Sequence, residues 1–255
     1  VGITGSNGKS TVTQLVGEMA IGSGKNAVIC GNIGKPVMES LSDEAELYVV
    51  ELSSYQLDYT SNLNLLTGVV TNITPDHLDR YPNYDVYVAS KLNLYRYCQY
   101  SVVNLDESLV QGIKGDSCYA IEENDLSREF SAKKVDGVYK IYQNKDILMT
   151  SDDLMVLGRH NVENVLAALT LGQQAGLSLQ EMIQAAKSFT GLPHRLEWVT
   201  NLNGVDYYND SKSTSSISTI TAIKALSDRH KSIVLIAGGI AKKEDYSKLF
   251  QLISE

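Results

Sequence analysis

Val1-Gly2-Ile3-Thr4-Gly5-Ser6-Asn7-Gly8-Lys9-Ser10-Thr11 opens the chain, and its reading decides the fold. A short apolar stub runs into two glycines and a Gly-Lys-Ser-Thr tail, after which Val12, Leu15, Val16 and Met19 follow at i, i+3, i+4 and i+7. That spacing predicts a helix that begins at the lysine and has one apolar face. Its N-terminus points at the loop, which brings backbone N–H groups and the Lys9 ammonium around a polyphosphate. The string departs from the full Walker pattern, because Ile3 stands six before the lysine and the nearer glycine is Gly5. Its setting between a strand and a helix favours a nucleotide-phosphate loop over an ordinary glycine-rich turn.

Composition sets the frame around that loop. The chain has 255 residues, enough for one large domain or two ordinary ones. A net charge of -8, with no long basic cluster, argues against generic binding to nucleic acid or acidic membranes. Cys30, Cys98 and Cys118 are an odd number without C-x-x-C spacing, so neither a disulfide framework nor a zinc site is suggested, and a reducing cytoplasm is the default. Apolar runs are strand-sized, and no signal-like or membrane-spanning segment is expected. The stub before the loop is short for a supporting strand, so the chain reads as a fragment cut within its domains.

Downstream, Ala27 to Cys30 reads as a strand followed by the turn Gly31-Asn32-Ile33-Gly34, where Asn32 reads first as a turn-stabilising residue. Leu47 to Leu52 is a near-continuous apolar run, as a buried parallel strand requires, and Glu51 interrupts it at the end where open α/β sheets bind ligands. A carboxylate there is either in water at the sheet edge or paired with a cation; metal ligation beside the loop serine is favoured. Gly68 to Ile73 is a further strand leading to Asp76-His77-Leu78-Asp79-Arg80, which makes His77 a candidate second metal ligand or catalytic group.

A predicted helix from Tyr84 to Tyr97 puts Lys91 on its apolar stripe with Tyr84, Tyr87, Val88, Leu94 and Tyr95. Periodicity leaves two outcomes equal: the lysine snorkels to the surface, or it faces the phosphate site deprotonated or modified. Tyr100 to Asn104 reads as another strand. Val135 to Tyr142 and Asp146 to Met149 flank Gln143-Asn144-Lys145, with Asp136-Gly137 as an earlier turn, and suggest a small antiparallel patch appended to the parallel sheet. Val162, Val165, Leu166 and Leu169 mark a helix that Asn161 could cap, leaving Asn164 less easily explained. Ser178-Leu179-Gln180-Glu181 is a capping-box signature for the next helix, which ends near Phe189. Gly191-Leu192-Pro193 marks a boundary, giving expected domains of 1–190 and 191–255. In the second, Leu196 to Leu202 and Val205 to Tyr208 pair around Asn203-Gly204, a polar run from Asn209 to Thr214 enters a helix, Ser232 to Ile236 is a strand, and Tyr246 to Ile253 is a helix.

Taken in order, these strings resemble the Mur ligases, ATP-dependent amide-forming enzymes of peptidoglycan synthesis. The resemblance rests on the phosphate loop, Gly31-Asn32-Ile33-Gly34, Glu51-Leu52-Ser53-Ser54, Asp76-His77, Ala89-Ser90-Lys91, His160-Asn161 with Asn164, Gly191-Leu192-Pro193-His194-Arg195 and Asn209-Asp210-Ser211-Lys212. The last two strings, and the absence of Asp-Asn-Pro-Arg, point to the member that adds D-glutamate to UDP-N-acetylmuramoyl-L-alanine; a ligase adding glutamate to folate, or an ATP-binding module without turnover, is the alternative.

The resemblance implies an α/β fold: a phosphate-loop central domain with a mainly parallel sheet, then part of a Rossmann-like domain, with an N-terminal UDP-binding domain absent. It implies that Gly5, Ser6, Asn7, Gly8, Lys9, Ser10 and Thr11 hold ATP phosphates. Ser10 and Glu51 would hold one magnesium, and His77 with a carbamylated Lys91 a second. Asn161 and Asn164 would contact adenine, and Arg195 and Asp210 phosphate and ribose. Asn32 and Ser53 would meet the muramoyl substrate, His194 and Lys212 the reacting centre, and Thr214 and Lys242 the D-glutamate carboxylates, although the loop around Lys242 departs from the family's more polar one. A cytoplasmic monomer acting on small molecules is the corresponding expectation.

Overall fold

A computed structural model of the chain describes residues 1–110, 112–121, 129–227, 229–239 and 245–254. They fall into two compact units, Val1–Leu154 with His160–Phe189, and Met155–Arg159 with Thr190–Glu255.

The first unit is built on one sheet. In chain order its elements are β1 (Gly2–Thr4), α1 (Lys9–Gly22), β2 (Ala27–Gly31), β3 (Leu47–Glu51), α2 (Ser54–Asp58), β4 (Leu65–Val70), α3 (Tyr84–Leu92), β5 (Cys98–Asn104), β6 (Ser117–Ile121), β7 (Phe130–Val135), β8 (Val138–Gln143), β9 (Asp146–Thr150), α4 (Arg159–Gln174) and α5 (Leu179–Ser188). Nine strands pair in the order β2-β3-β1-β4-β5-β6-β7-β8-β9. The pairings from β2 to β7 are parallel; β7-β8 and β8-β9 are antiparallel.

The central strands are short, apolar and buried, as a sheet covered on both faces demands. Ile3, Val49 and Val69, on three adjacent strands, are all fully buried. On α1, Val12, Leu15, Val16 and Met19 are all fully buried, so the apolar spacing marks the inward face of that helix. Because parallel strands share a direction, the C-terminal ends of β1, β3 and β4 lie along one edge. Order 3-1-4 also means that the chain leaves β1 between two neighbours, where a crevice opens for a ligand.

Several element bounds differ from the periodicity reading. The antiparallel patch is appended to the main sheet and turns at Asp136-Gly137, both at positive φ, as expected; only the bounds differ, Val135 ending β7 and Val138 starting β8. The helix from Tyr84 is α-helical only to Leu92, and Asn93–Tyr97 tightens into a 3-10 turn. Helix α4 starts at Arg159, so Asn161 lies inside its first turn and is not its cap.

The second unit contains β10 (Glu197–Leu202), β11 (Val205–Asn209), α6 (Ser216–Ser227) and α7 (Ser247–Ser254). Its hairpin turns at Asn203 and Gly204, with φ of 54° and 82°, the left-handed pair that a two-residue loop needs. A small core joins Leu157, Ala225 and Leu226, with Leu196, Tyr208 and Ile233 against it. The segment Ser232 to Ile236 is not a strand: among the described residues no strand pairs with it, and Val234 and Ile236 are 89% and 92% exposed. An apolar run becomes a strand only where a neighbour accepts its backbone hydrogen bonds.

Candidate active site at the phosphate loop

The loop from Gly5 to Gly8 links β1 to α1 and is shaped by its glycines. Gly5 has φ 144°, and a Cβ there would stand 2.0 Å from Thr71 Oγ1; Gly8 has φ 82°, and its Cβ would stand 2.3 Å from Asn164 Oδ1. Only a residue without a side chain adopts these conformations at such approach. Helix α1 begins at Lys9 with no side-chain cap, and its first helical bond runs from Val12 N–H to Gly8 O. The start of α1 therefore has no side-chain cap and is electropositive, suited to an anion.

Two lysines meet at this loop. Lys9 Nζ donates to the carbonyls of Gly5 and Ser6 at 2.9 and 3.0 Å. Lys91, on α3, is 2% exposed and donates from Nζ to the same Gly5 carbonyl at 2.8 Å, with the Tyr87 ring centroid 4.9 Å away. Burial pulls the Lys91 ammonium down to about 7, and the nearby Lys9 charge acts in the same direction. Snorkelling is thus ruled out by position, and a substantial neutral fraction at physiological pH follows.

Glu51 closes β3 at the same edge and is 2% exposed, so it does not lie in water. Its Oε1 accepts from Asn32 Nδ2 at 2.8 Å, while Oε2 is buried without a hydrogen-bond partner. Asn32 also donates its backbone N–H to Glu51 O at 2.9 Å. The turn-stabilising reading of Asn32 gives way here: its carboxamide reaches across to a carboxylate 19 residues away and orients it. Glu51 and Lys91 are the only buried charged side chains among the described residues. Since an unpartnered buried carboxylate oxygen is costly, the donor chemistry at Glu51 fits a cation.

His77 differs. It sits at φ 52° in an exposed loop, with Nε2 3.5 Å from Asp76 Oδ2 and its ring 5.0 Å from that of Tyr55. Among the described residues no three His, Cys, Asp or Glu side chains come close enough to hold a metal ion. The structure therefore does not assemble His77 with Glu51 into a ready cluster of such ligands; a metal set here would need the Ser10 hydroxyl or a carboxylate added to Lys91.

Asn164, 8% exposed, packs against Gly8 and donates to Asn161 Oδ1 at 3.2 Å. Ser53 is the N-cap of α2 in a reciprocal box with Gln56: its Oγ lies 3.2 Å from Gln56 N and 2.9 Å from Gln56 Oε1. That local role occupies the hydroxyl assigned to substrate.

In the second unit, His194 at φ 66° has Nδ1 2.8 Å from Asn209 Nδ2, and its N–H donates to Glu197 Oε2 at 2.8 Å. Lys212 N–H returns to His194 O at 3.0 Å, and Leu196 N–H bonds Asp210 Oδ1 at 2.9 Å. Ser213 donates to Asp210 Oδ2. Arg195, Lys212 and Thr214 are exposed. Lys242 lies outside the described residues.

Residues missed by sequence reasoning are Thr71, Asn72 and Tyr87. Thr71 Oγ1 is 2.7 Å from Asn7 O, Asn72 bonds both backbone groups of Asn7, and Tyr87 OH is 3.0 Å from Ser6 Oγ. No local pattern marks them, since their partners lie more than 60 residues away in the chain.

Comparison with known proteins bears on this geometry. Residues 3–172 match the Mur ligase middle domain. Proteins named UDP-N-acetylmuramoylalanine--D-glutamate ligase from Marinobacter nauticus and Pseudomonas syringae pv. tomato are each 43% identical, over 259 and 253 residues, covering 100% and 98% of this chain. The chain spans 58% and 56% of the length of those relatives. Among solved structures, MurF from Acinetobacter baumannii superposes with a TM-score of 0.73 at 18% identity, over 90% of this chain and 54% of that one. UDP-N-acetylmuramate-alanine ligase MurC from Thermotoga maritima does so at 0.69 and 19%, over 91% and 54%. At these identities the structural likeness is one of fold.

Proposed function

This chain belongs to the Mur ligase family, and from that premise we propose that it is the ATP-binding part of an amide ligase that joins D-glutamate to UDP-N-acetylmuramoyl-L-alanine. The observation that carries the reading is the pair Glu51 and Lys91, an acid and a base buried together with the phosphate loop at one sheet edge. The name shared by the relatives at 43% identity supports the choice of substrates.

In this reading the substrate's L-alanine carboxylate attacks the γ-phosphorus of ATP, ADP leaves, and an acyl phosphate forms. The D-glutamate amine then attacks the acyl carbon, phosphate leaves, and the amine's proton is lost to a base. The chain's own part in the first step is electrostatic. Lys9 and the N–H groups at the start of α1 neutralise charge on the transferred group, and the buried setting strengthens each such interaction. Ser10 and Glu51 are the residues that would hold a magnesium ion, with Asn32 presenting the carboxylate; His77 and a modified Lys91 are assigned to a second. Magnesium supplies charge neutralisation and orientation of the phosphates.

Carbamylation of Lys91 has a chemical route here. Its neutral Nζ attacks the carbon of CO2, and the carbamic acid loses a proton to give a carboxylate. A pKa near 7 makes the neutral amine abundant where an ordinary lysine would not. Intact mass spectrometry at raised bicarbonate should show the added CO2, and its absence in every condition would remove this element.

Roles for Asn161, Asn164, Ser53, His194, Arg195, Asp210, Lys212, Thr214 and Lys242 rest on the family resemblance. Small-molecule substrates and a cytoplasmic setting follow from the same reading; among the described residues no helix is long and apolar enough to cross a membrane. The deciding assay measures ADP release with UDP-N-acetylmuramoyl-L-alanine, D-glutamate or both, against folate with L-glutamate. Turnover requiring the first pair supports the proposal. Turnover with folate would replace it, and MgATP binding without turnover would leave this chain a nucleotide-binding module.

A further inference from the structure

We propose that Asn72 is a positioning residue for the phosphate loop, holding it as a neighbouring strand would and dividing the loop's amides between structure and ligand. The inference rests on the phosphate-binding reading of that loop.

Asn72 lies two residues beyond β4, beside the C-terminal end of β1. Its Oδ1 accepts from Asn7 N–H at 2.8 Å, and its Nδ2 donates to Asn7 O at 3.0 Å. Its own carbonyl accepts from Ser6 N–H at 2.8 Å. The backbone N–H can only donate and the backbone carbonyl only accept, so this pairing fixes the orientation of the Asn72 carboxamide. No other residue type at position 72 matches both groups at this reach; aspartate supplies only acceptors, and alanine neither. The Thr71 hydroxyl completes the arrangement at 2.7 Å from Asn7 O.

The clamp is itself anchored. Thr71 N–H donates to Thr4 O at 2.9 Å, Asn104 Nδ2 donates to Thr71 O at 2.8 Å, and Glu107 Oε2 accepts from Ile73 N–H at 3.0 Å. Asn104 is 4% exposed, so this support is within the core. A chain of hydrogen bonds thus runs from the end of β5 through the end of β4 to the loop after β1.

The consequence concerns which amides meet a phosphate. Those of Ser6 and Asn7 are committed to Asn72, which leaves the start of α1 as the anion-facing set. Loss of the clamp frees a flexible, Gly-flanked segment whose ordering must then be supplied by the ligand.

The test compares the wild-type chain with Asn72→Ala and Asn72→Leu, neither of which offers a donor or an acceptor or changes the charge, titrated calorimetrically with inorganic tripolyphosphate and with adenosine. The clamp predicts that tripolyphosphate affinity falls at least about tenfold in both variants while adenosine affinity holds. A general loosening of the domain would weaken both ligands, and equal tripolyphosphate affinity in wild type and variants would overturn the proposal. Amide hydrogen exchange at Asn7 provides a readout free of ligand: protection should drop in the variants, and unchanged protection would overturn the clamp even if nucleotide bound. If the alanine variant does not fold, the near-isosteric and uncharged leucine variant carries both measurements. A wild-type chain that binds neither tripolyphosphate nor MgATP would instead overturn the phosphate-loop reading, with the exchange result at Asn7 still deciding the clamp.

Discussion

The two stretches that supply charge at the ligand edge, the phosphate loop and the Asp76–Arg80 loop, are built in opposite ways. The first is held by Thr71, Asn72, Tyr87, Lys9 and Lys91, and its neighbours Glu51 and Lys91 are buried. The second is exposed, with the His77 side chain set by its contact with Asp76 and by ring contacts to Tyr55 and Tyr87. Groups that must resist the field of a polyphosphate are fixed before it arrives, since preorganised charge costs no rearrangement at the moment of reaction.

The strongest way to break this contrast is Gly5→Ala. A Cβ 2.0 Å from Thr71 Oγ1, at φ 144°, should lower stability by about 3 kcal/mol or more in urea unfolding. A loss under about 1 kcal/mol would show the loop to be plastic.

Next comes the pH dependence of Lys91. Its folded-state pKa of about 7 lies below the ordinary 10.5, so between those values the unfolded chain binds more protons than the folded one. Stability therefore rises with pH across that window, by about 5 kcal/mol at most from this group. Lys91→Met should flatten that rise relative to the wild type, and parallel curves for the two proteins would contradict the buried, neutralising lysine.

Glu51→Gln should have a smaller effect of two signs. Without metal, removing a buried charge with a partnerless oxygen should raise the melting midpoint by the equivalent of about 1 kcal/mol. With manganese added, the metal-induced shift should vanish in the variant. A variant that responds to manganese as the wild type does would take Glu51 out of the metal site.

The smallest effect is expected at His77. Because its side chain is 44% exposed, His77→Ala should change stability by less than about 0.5 kcal/mol. A change above about 1.5 kcal/mol would mean that this loop is as firmly built as the phosphate loop.

Local reading reached a definite set of features. The apolar face of α1, the strand ending at Glu51 and the Asn203-Gly204 hairpin were legible because each depends on residues a few positions apart. The order of motifs also identified the family. Fixing Asn161 as a cap failed because helix α4 starts three residues earlier than that cap allows, at Arg159, and helix starts are weakly encoded. The expected strand from Ser232 to Ile236 failed because strand formation depends on a partner.

The sequence by itself determined that a phosphate loop opens a helix, that a carboxylate ends a buried strand beside it, and that a lysine interrupts an apolar stripe. It left the direction of that lysine open and was silent on Asn72. Only the tertiary structure decided that Lys91 points to Gly5 O, 86 residues away, and that Asn72 grips Asn7, 65 residues away. The physical reason is that periodicity reports which face of an element is apolar, whereas the partner of a polar group is chosen by sheet order and by what the neighbouring strand ends bring within hydrogen-bond reach.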